Sequence, residues 1–210
     1  MKITAVEKGM KSTDRYNIYI DGSFSFAVYI DTLSKFNLTV DREIDDFLIT
    51  EIIELDKTLH AKKLSFNILS RSNLTKSMLC DKLRQKNIDE KYIMAAAEYL
   101  IEKDYINDER FAADKAKYMF ETKKCGVDKI RGDLIYKYGI DRELAENTAA
   151  DLSDSISKEN LYFLMSREKG KKDYSDRKTV SNLMNKFRSK GYSYDDIKSV
   201  IYAISNGEEL

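Results

Sequence analysis

The chain repeats itself at a spacing of 52 residues, three times over. Ile88, Ile140 and Tyr192 stand at that interval, each preceded by Asn87, Gly139 or Gly191 and followed by Asp89, Asp141 or Ser193. The register persists downstream through Ile93, Ala145 and Ile197, then Ala97, Ala149 and Ile201, then Leu100, Leu152 and Ile204. Upstream it runs through Asp56, Asp108 and Asn160, and through Leu59, Phe111 and Phe163. A period of this length marks an array of supersecondary units, each needing a neighbour to cover its apolar face. An array makes a long surface, and a long surface suits a macromolecular partner better than it suits catalysis.

The 210 residues include no Pro, no Trp and 8 Gly. Without the commonest helix breaker, a mostly helical chain is the natural reading. The start, Met1-Lys2-Ile3-Thr4, lacks the basic-then-apolar layout of a signal peptide, and no apolar run approaches the ~20 residues of a membrane span. Cys80 and Cys125 stand apart with no CxxC and no His cluster, which reads as free buried thiols in a reducing compartment. A soluble, cytoplasmic, monomeric protein is expected, with no membrane partner.

Net charge is zero, with 36 basic against 36 acidic side chains, but the balance is uneven. Residues 1–54 carry 6 basic and 10 acidic side chains, and residues 55–106 carry 10 and 7. Residues 107–158 carry 10 and 11, and residues 159–210 carry 10 and 8. The strongly basic composition usual for DNA binding is absent, while local basic stripes are allowed.

Only the N-terminal segment is β-like. Tyr16–Ile20 and Phe24–Val28 alternate around Asp21-Gly22, a hairpin signal. A two-residue loop would split the apolar set between both faces. A three-residue loop with Gly22 as its left-handed bulge residue pairs Ile18 with Phe24 and Tyr16 with Phe26, and that register is preferred. A third strand from Ile3–Lys8, or packing on the following helix, should support the hairpin. Asp31–Phe36 reads as a short helix closed by Asn37, and a helical pattern begins near Asp45.

The expected fold is therefore mostly α: a tandem array of three three-helix repeats with a small N-terminal β-hairpin segment. Residues 1–54 hold the hairpin and a linking helix, and the repeats occupy 55–106, 107–158 and 159–210. In the first repeat the helices lie near Asp56–Ser70, Thr75–Lys86 and Glu90–Lys103. Asn87, Gly139 and Gly191 suit the left-handed residue that ends a helix, and the next hydrophobe folds back on the last turn. Asp89, Asp141 and Ser193 then cap the following helix, Ser193 with Asp196 resembling a capping box. Tyr92, Tyr99 and Tyr202 read as core or boundary residues.

The sharpest local string is Asp104-Tyr105-Ile106-Asn107-Asp108-Glu109-Arg110-Phe111-Ala112. Its acids suit a capped helix start and Phe111 suits the core, leaving Arg110 more open to a functional role. The string resembles the GYLDDERFA signature of the RecX family, with Asp104 in place of the usual Gly and Asn107 in place of Asp. Further similarity lies in Arg71-Ser72, Leu79, Lys82-Leu83 and Lys86, in Gly126, Ile130, Leu134 and Lys137-Tyr138-Gly139-Ile140, and in Lys190-Gly191-Tyr192. The stretch Arg15–Gly22 looks like the hairpin extension of Gram-positive members. The resemblance implies a non-enzymatic regulator of the RecA recombinase that docks in the groove of the RecA–DNA filament and damps strand exchange and co-protease activity.

No chemistry competes with that implication. His60 lies among Leu59, Lys62 and Lys63, a helix-surface or boundary setting, and no phosphate-binding Gly loop, metal spacing or Ser/His/Asp arrangement is visible. No catalytic residue, metal or cofactor is expected. Lys82, Arg84 and Lys86 recur in identical spacing as Lys186, Arg188 and Lys190, while the middle repeat keeps Lys137 and adds Lys129 and Arg131. Alternate helix positions do not share a face, so these residues are either a solvated surface or, if repeat symmetry aligns the second helices, a basic track. The candidate partner-binding residues, toward the filament or single- or double-stranded DNA, are Arg71, Lys82, Arg84, Lys86, Arg110, Arg131, Lys137, Lys186, Arg188 and Lys190. The alternatives are a direct DNA-binding regulator with a helix–turn–helix-like corner, and a scaffold for an unrelated client.

Overall fold

A computed structural model describes residues 1–9, 14–152, 154–168 and 176–208, with side chains at 154 and 155 left aside. The chain is mostly α-helical and begins with a three-stranded antiparallel sheet, β1 (Ile3–Lys8), β2 (Arg15–Ile20) and β3 (Ser23–Tyr29), in that order. The third strand expected from Ile3–Lys8 is present.

The hairpin register differs from the expected one. Asp21 and Gly22 both take positive φ, 47° and 85°, and make a two-residue turn that sets Ile20 opposite Ser23 and Tyr19 opposite Phe24. Such a turn matches the twist of the strands it joins. The bulge sits one step later: the ladder skips Ser25, so Ile18 faces Phe26 and Tyr16 faces Val28. One extra residue in β3 restores the alternation that a two-residue loop alone would break. Ile18, Ile20, Phe26 and Val28 are therefore buried together, while Phe24 turns outward, 58% exposed and edge-on to Tyr19.

Helix α1 (Ile30–Lys35) follows, and Asn37 at φ 47° ends it. Asp45 caps α2 (Asp46–Leu69), its side chain accepting the Leu48 N–H at 2.7 Å. α2 is one helix of 24 residues, so the division drawn after residue 54 falls inside a continuous element. Its Ile52 joins the sheet core with Ile3, Ile18, Leu38 and Ile44, while its Ala61 meets Tyr92 and Ala96. The remaining elements are α3 (Lys76–Arg84), α4 (Glu90–Glu102), α5 (Asp108–Lys117), α6 (Val127–Gly132), α7 (Arg142–Ala150), α8 (Asp154–Ser166), α9 (Arg177–Ser189) and α10 (Tyr194–Asn206). Two of them continue into π-helical turns, α5 at Tyr118–Thr122 and α6 at Asp133–Lys137.

Asn87, Gly139 and Gly191 are all left-handed, at φ 58°, 64° and 89°. After each, a backbone N–H returns to the previous helix: Ile88 to the Leu83 carbonyl (3.3 Å), Ile140 to Leu134 (3.0 Å) and Tyr192 to Phe187 (3.2 Å). Asp141 and Ser193 then cap α7 and α10 through their side chains, Ser193 also bonding Asp196. Asp89 makes no side-chain cap, because its place is served by its backbone carbonyl, which accepts from Tyr92 and Ile93. Tyr92 is buried as expected, but Tyr202 is 65% exposed, outside the α10 face that packs Ile197, Val200 and Ile204.

Contacts group the chain into two units, Met1–Ser72 with Leu79–Lys103, and Asn73–Met78 with Asp104–Leu210. The first is tied by Asp56, buried on α2. Its carboxylate accepts the Tyr29 N–H at 2.7 Å and the Thr32 hydroxyl at 2.9 Å, and pairs with Arg15 at 3.2 Å. Arg15 also donates to the Ala27 carbonyl and lies over the Tyr29 ring, whose hydroxyl meets His60 Nδ1 at 2.7 Å. His60 thus has the boundary role expected of it.

The second unit is held by corners seated on helix starts. Thr75 Oγ1 donates to the Tyr138 carbonyl at 2.6 Å, beside Gly139. Gly126 N–H donates to the Lys190 carbonyl at 2.9 Å and Asp128 N–H to Gly191 at 3.1 Å. A Cβ on Gly139 would stand 2.4 Å from Ser77 Oγ, and one on Gly191 would stand 2.3 Å from the Lys129 nitrogen. Gly22 has comparable φ and nothing within 4 Å. We expect Gly191→Ala to lower stability by more than Gly22→Ala, which carries only the left-handed cost of about 1–2 kcal/mol. Gly139→Val should cost at least about 1 kcal/mol for the same reason. Urea denaturation checks all three, and equal midpoints for Gly22→Ala and Gly191→Ala would show that the seat yields.

Asp108 makes a related joint, its Oδ1 accepting the Lys76 N–H at 2.9 Å. Burial raises its pKa, opposed by that backbone hydrogen bond. A raised carboxyl binds its proton more tightly folded than unfolded, so ionising it costs stability as pH rises through the acid range. Asp108→Asn keeps the acceptor without the charge, and its stability should fall less, or rise more, than the parent's over that window. Parallel stability–pH curves would contradict this.

Candidate functional site

The ten basic residues separate into two kinds. Four have carboxylate partners. Arg84 grips Glu90 through two nitrogens, at 2.9 and 2.7 Å, and Asp81 at 2.8 Å. Arg110 meets Asp104 at 2.9 Å, Arg131 meets Asp128 at 2.7 Å, and Lys186 pairs with Glu168. Arg84 holds the Glu90 carboxyl below its ordinary pKa, and Asn107 followed by Arg110 does the same for Asp104. Arg84, one of the candidate partner-binding residues, has its fork occupied by Glu90 at the start of α4. Arg110, the more open position of the signature string, is likewise engaged by its own loop.

Asn107 and Phe111 of that string are structural. Asn107 caps α5 by accepting the Arg110 N–H at 2.8 Å, and Phe111 packs in the core 5.4 Å from the Tyr138 ring.

The other six, Arg71, Lys82, Lys86, Lys137, Arg188 and Lys190, have no carboxylate within salt-bridge distance among the described residues. Arg71, Lys82 and Lys86 come together in the first unit around a groove of about 490 Å³. Leu64 and Ile68 supply its apolar lining, and Asn67 and Gln85 add uncharged polar groups; no acid lines it. In the second unit, Lys137 and Arg188 meet Lys129, Tyr136, Asp128 and Asp133 around a cleft of about 440 Å³. Asp133 there is partnered by Lys129 at 3.4 Å and Asp128 by Arg131. Lys190 lines neither; its carbonyl serves the Gly126 joint. The spacing Lys82, Arg84, Lys86 and Lys186, Arg188, Lys190 thus recurs without recurring roles, since Arg84 and Lys186 are paired while Lys82 and Arg188 are not.

Three participants carry no role that the sequence assigns. Half-buried Arg15 pairs with buried Asp56 across 41 positions, which no local pattern displays. Tyr136, which no sequence pattern marks, lies within the π-turn and is 80% exposed.

Among the described residues, no group of three or more His, Cys, Asp or Glu is placed to hold a metal ion, and no helix is long and apolar enough to cross a membrane.

A three-stranded sheet followed by a long helix and then by helix pairs with left-handed corners defines a mostly helical fold class that solved structures share. A crystal structure titled regulatory protein RecX superposes with a TM-score of 0.73, covering 95% of this chain and 98% of that one at 24% identity. RecX from Lactobacillus salivarius gives 0.64, covering 72% and 98% at 28% identity. Residues 1–45 match the family model for the regulatory protein RecX N-terminal domain. Regulatory protein RecX of Clostridium perfringens strain SM101 is 30% identical over 213 residues, taking in 100% of this chain and 99% of that one. The Clostridioides difficile strain 630 protein of the same name is 28% identical over 208 residues, covering 99% and 97%. The chain belongs to the RecX family.

The two kinds of cation should behave differently on truncation. Arg84→Ala frees Glu90 and Asp81 together and should lower the melting temperature. Lys82→Ala removes a charge with no partner and should leave it unchanged. Thermal denaturation by circular dichroism decides, and equal shifts would erase the distinction.

Proposed function

We propose that this chain regulates the RecA recombinase without catalysis of its own, binding along the RecA–DNA filament and damping strand exchange and co-protease activity. Family membership supports the regulatory role, since the relatives bear the name regulatory protein RecX. The observation that carries the binding mode is the groove of Arg71, Lys82 and Lys86. These are three cations without acid partners around an apolar lining, in a chain whose total charge is zero. Such a groove attracts phosphates or an acidic protein surface through charge while Leu64 and Ile68 offer area to exclude water. The corners at Asn87, Gly139 and Gly191 support a further part of the reading, that residues 55–106, 107–158 and 159–210 are tandem units.

RecA's DNA-dependent ATP hydrolysis, measured with and without this protein, tests the role. Inhibition is expected, and Lys82→Glu/Lys86→Glu should weaken it by about tenfold or more and flatten its salt dependence. Unchanged hydrolysis in the presence of the parent protein would overturn the reading. Equal inhibition by parent and variant at every salt concentration would remove this groove from it.

A further inference from the structure

We propose that the cleft around Tyr136 is a site for single-stranded nucleic acid, with the Tyr136 ring stacked on a base and Lys137 and Arg188 holding adjoining phosphates. The proposal deepens the reading above by naming the partner of one groove. It starts from a difference between the three corners. Arg84, Gln85 and Lys86 separate the last core residue, Leu83, from left-handed Asn87, and Arg188, Ser189 and Lys190 separate Phe187 from Gly191. Between Leu134 and Gly139 stand four residues, Ile135, Tyr136, Lys137 and Tyr138. The π-turn at Asp133–Lys137 absorbs the additional one, its wider loop closed by Tyr138 N–H on the Asp133 carbonyl at 3.1 Å. Leu134 and Tyr138 stay in the core on either side, and Tyr136 is 80% exposed, at the repeat position that exposed Arg84 and Arg188 hold in the other two units. π-turns of this kind recur at functional sites.

A lone exposed aromatic ring is ordinary. The surroundings of this one are not. Lysines lie over the rings of Tyr118 and Tyr138, whereas among the described residues Tyr136 has neither a ring nor a cation against it. Beside it, Lys137, which also lies 5.4 Å from the Tyr138 ring, and Arg188 have no acid partner among the described residues, and the two acids lining the cleft are occupied by Lys129 and Arg131. One free π-face among available cations is the composition of a stacking platform with phosphate contacts. It is too charged for the anchor of a protein interface, whose centre is depleted of Lys and Asp. A duplex offers no free base face, so the occupant is a single strand.

The chain has no Trp, so Tyr136→Trp places a unique emitter in the cleft. The parent, Tyr136→Ala, Tyr136→Trp and Lys137→Gln/Arg188→Gln are titrated against fluorescein-labelled oligo(dT), with circular dichroism confirming equal helicity. The probes compared with it are a duplex, dTMP and poly-glutamate. Tyr136→Ala should weaken oligo(dT) binding by roughly 5- to 150-fold. The Trp emission should be quenched by oligo(dT) and not by the duplex or poly-glutamate. The Gln pair should flatten the log–log salt slope by about 0.7 per lost phosphate contact. Failure of the parent to bind oligo(dT), a loss below twofold in Tyr136→Ala, or an emission unmoved by bound oligo(dT) would each overturn the site. Equal quenching by poly-glutamate would assign the cleft to an acidic protein instead, and equal quenching by dTMP would assign it to free nucleotides. Measuring RecA's ATP hydrolysis with the same variants separates the two readings. Oligo(dT) stacking on Tyr136 with no effect of the parent on RecA leaves this site standing and removes the proposed function; the converse result removes only the site.

Discussion

The second unit depends on a place where two stretches of backbone meet with no side chain between them. The carbonyls of Lys190 and Gly191 accept from Gly126 and Asp128, and a Cβ on Gly126 would stand 2.2 Å from the Gly191 oxygen. The hydrogen bonds have ordinary lengths; it is the close approach of the two backbones that leaves no room for a Cβ, and Gly191 must also sit at φ 89°, a conformation L side chains rarely adopt. The joint therefore constrains composition at both of its ends. Tyr192, carried inward by the same corner, is buried against Phe187 and donates its hydroxyl to the Lys124 carbonyl at 2.9 Å. Burial pushes its phenol well above the ordinary range, so it remains a neutral donor at any physiological pH.

The first unit solves a different problem by different means. Its sheet needs to be fixed to α2, and a buried carboxylate does this. Asp56 satisfies the N–H at the start of α1, the hydroxyl of Thr32 and one arm of Arg15. A buried charge without such partners would be strongly unfavourable; with them, it orients strand, helix and hairpin at once. The 52-residue series Asp56, Asp108, Asn160 acquires a physical meaning here. Asp56 accepts a backbone N–H from Tyr29, Asp108 accepts one from Lys76, and Asn160 donates to the Phe120 carbonyl at 3.2 Å. Each polar side chain is a tie from a helix to the backbone of an earlier segment.

Charge in this protein is a matter of pairing more than of totals. A sum of zero hides one groove with three cations and no acid, and a cleft whose acids are already engaged. Surface ion pairs contribute little to stability on average, but they decide which cations remain available to a partner. Arg84 and Lys82, two positions apart in sequence, fall on opposite sides of that division because only Arg84 reaches Glu90 across the corner.

Much of this was legible in the residues. The period, the missing Pro and the Asn and Gly at the corners determined a mostly helical chain with left-handed helix ends, because those features act through local backbone preference. The hairpin at Asp21-Gly22 and the third strand were legible too, but the turn holds two residues and not the three expected. What the tertiary structure alone decided are matters of one residue or of long reach. The β3 bulge at Ser25 was hidden because a shift by one residue exchanges faces without altering the alternating pattern. The π-turn at Asp133–Lys137 was hidden because the 52-residue spacing of the corners is preserved across it. The continuity of α2 through residue 54 and the pairing of Arg84 with Glu90 likewise needed coordinates, since a periodic sequence shows which positions are equivalent and not which partner each finds. Local chemistry chose the elements, and packing chose the neighbours.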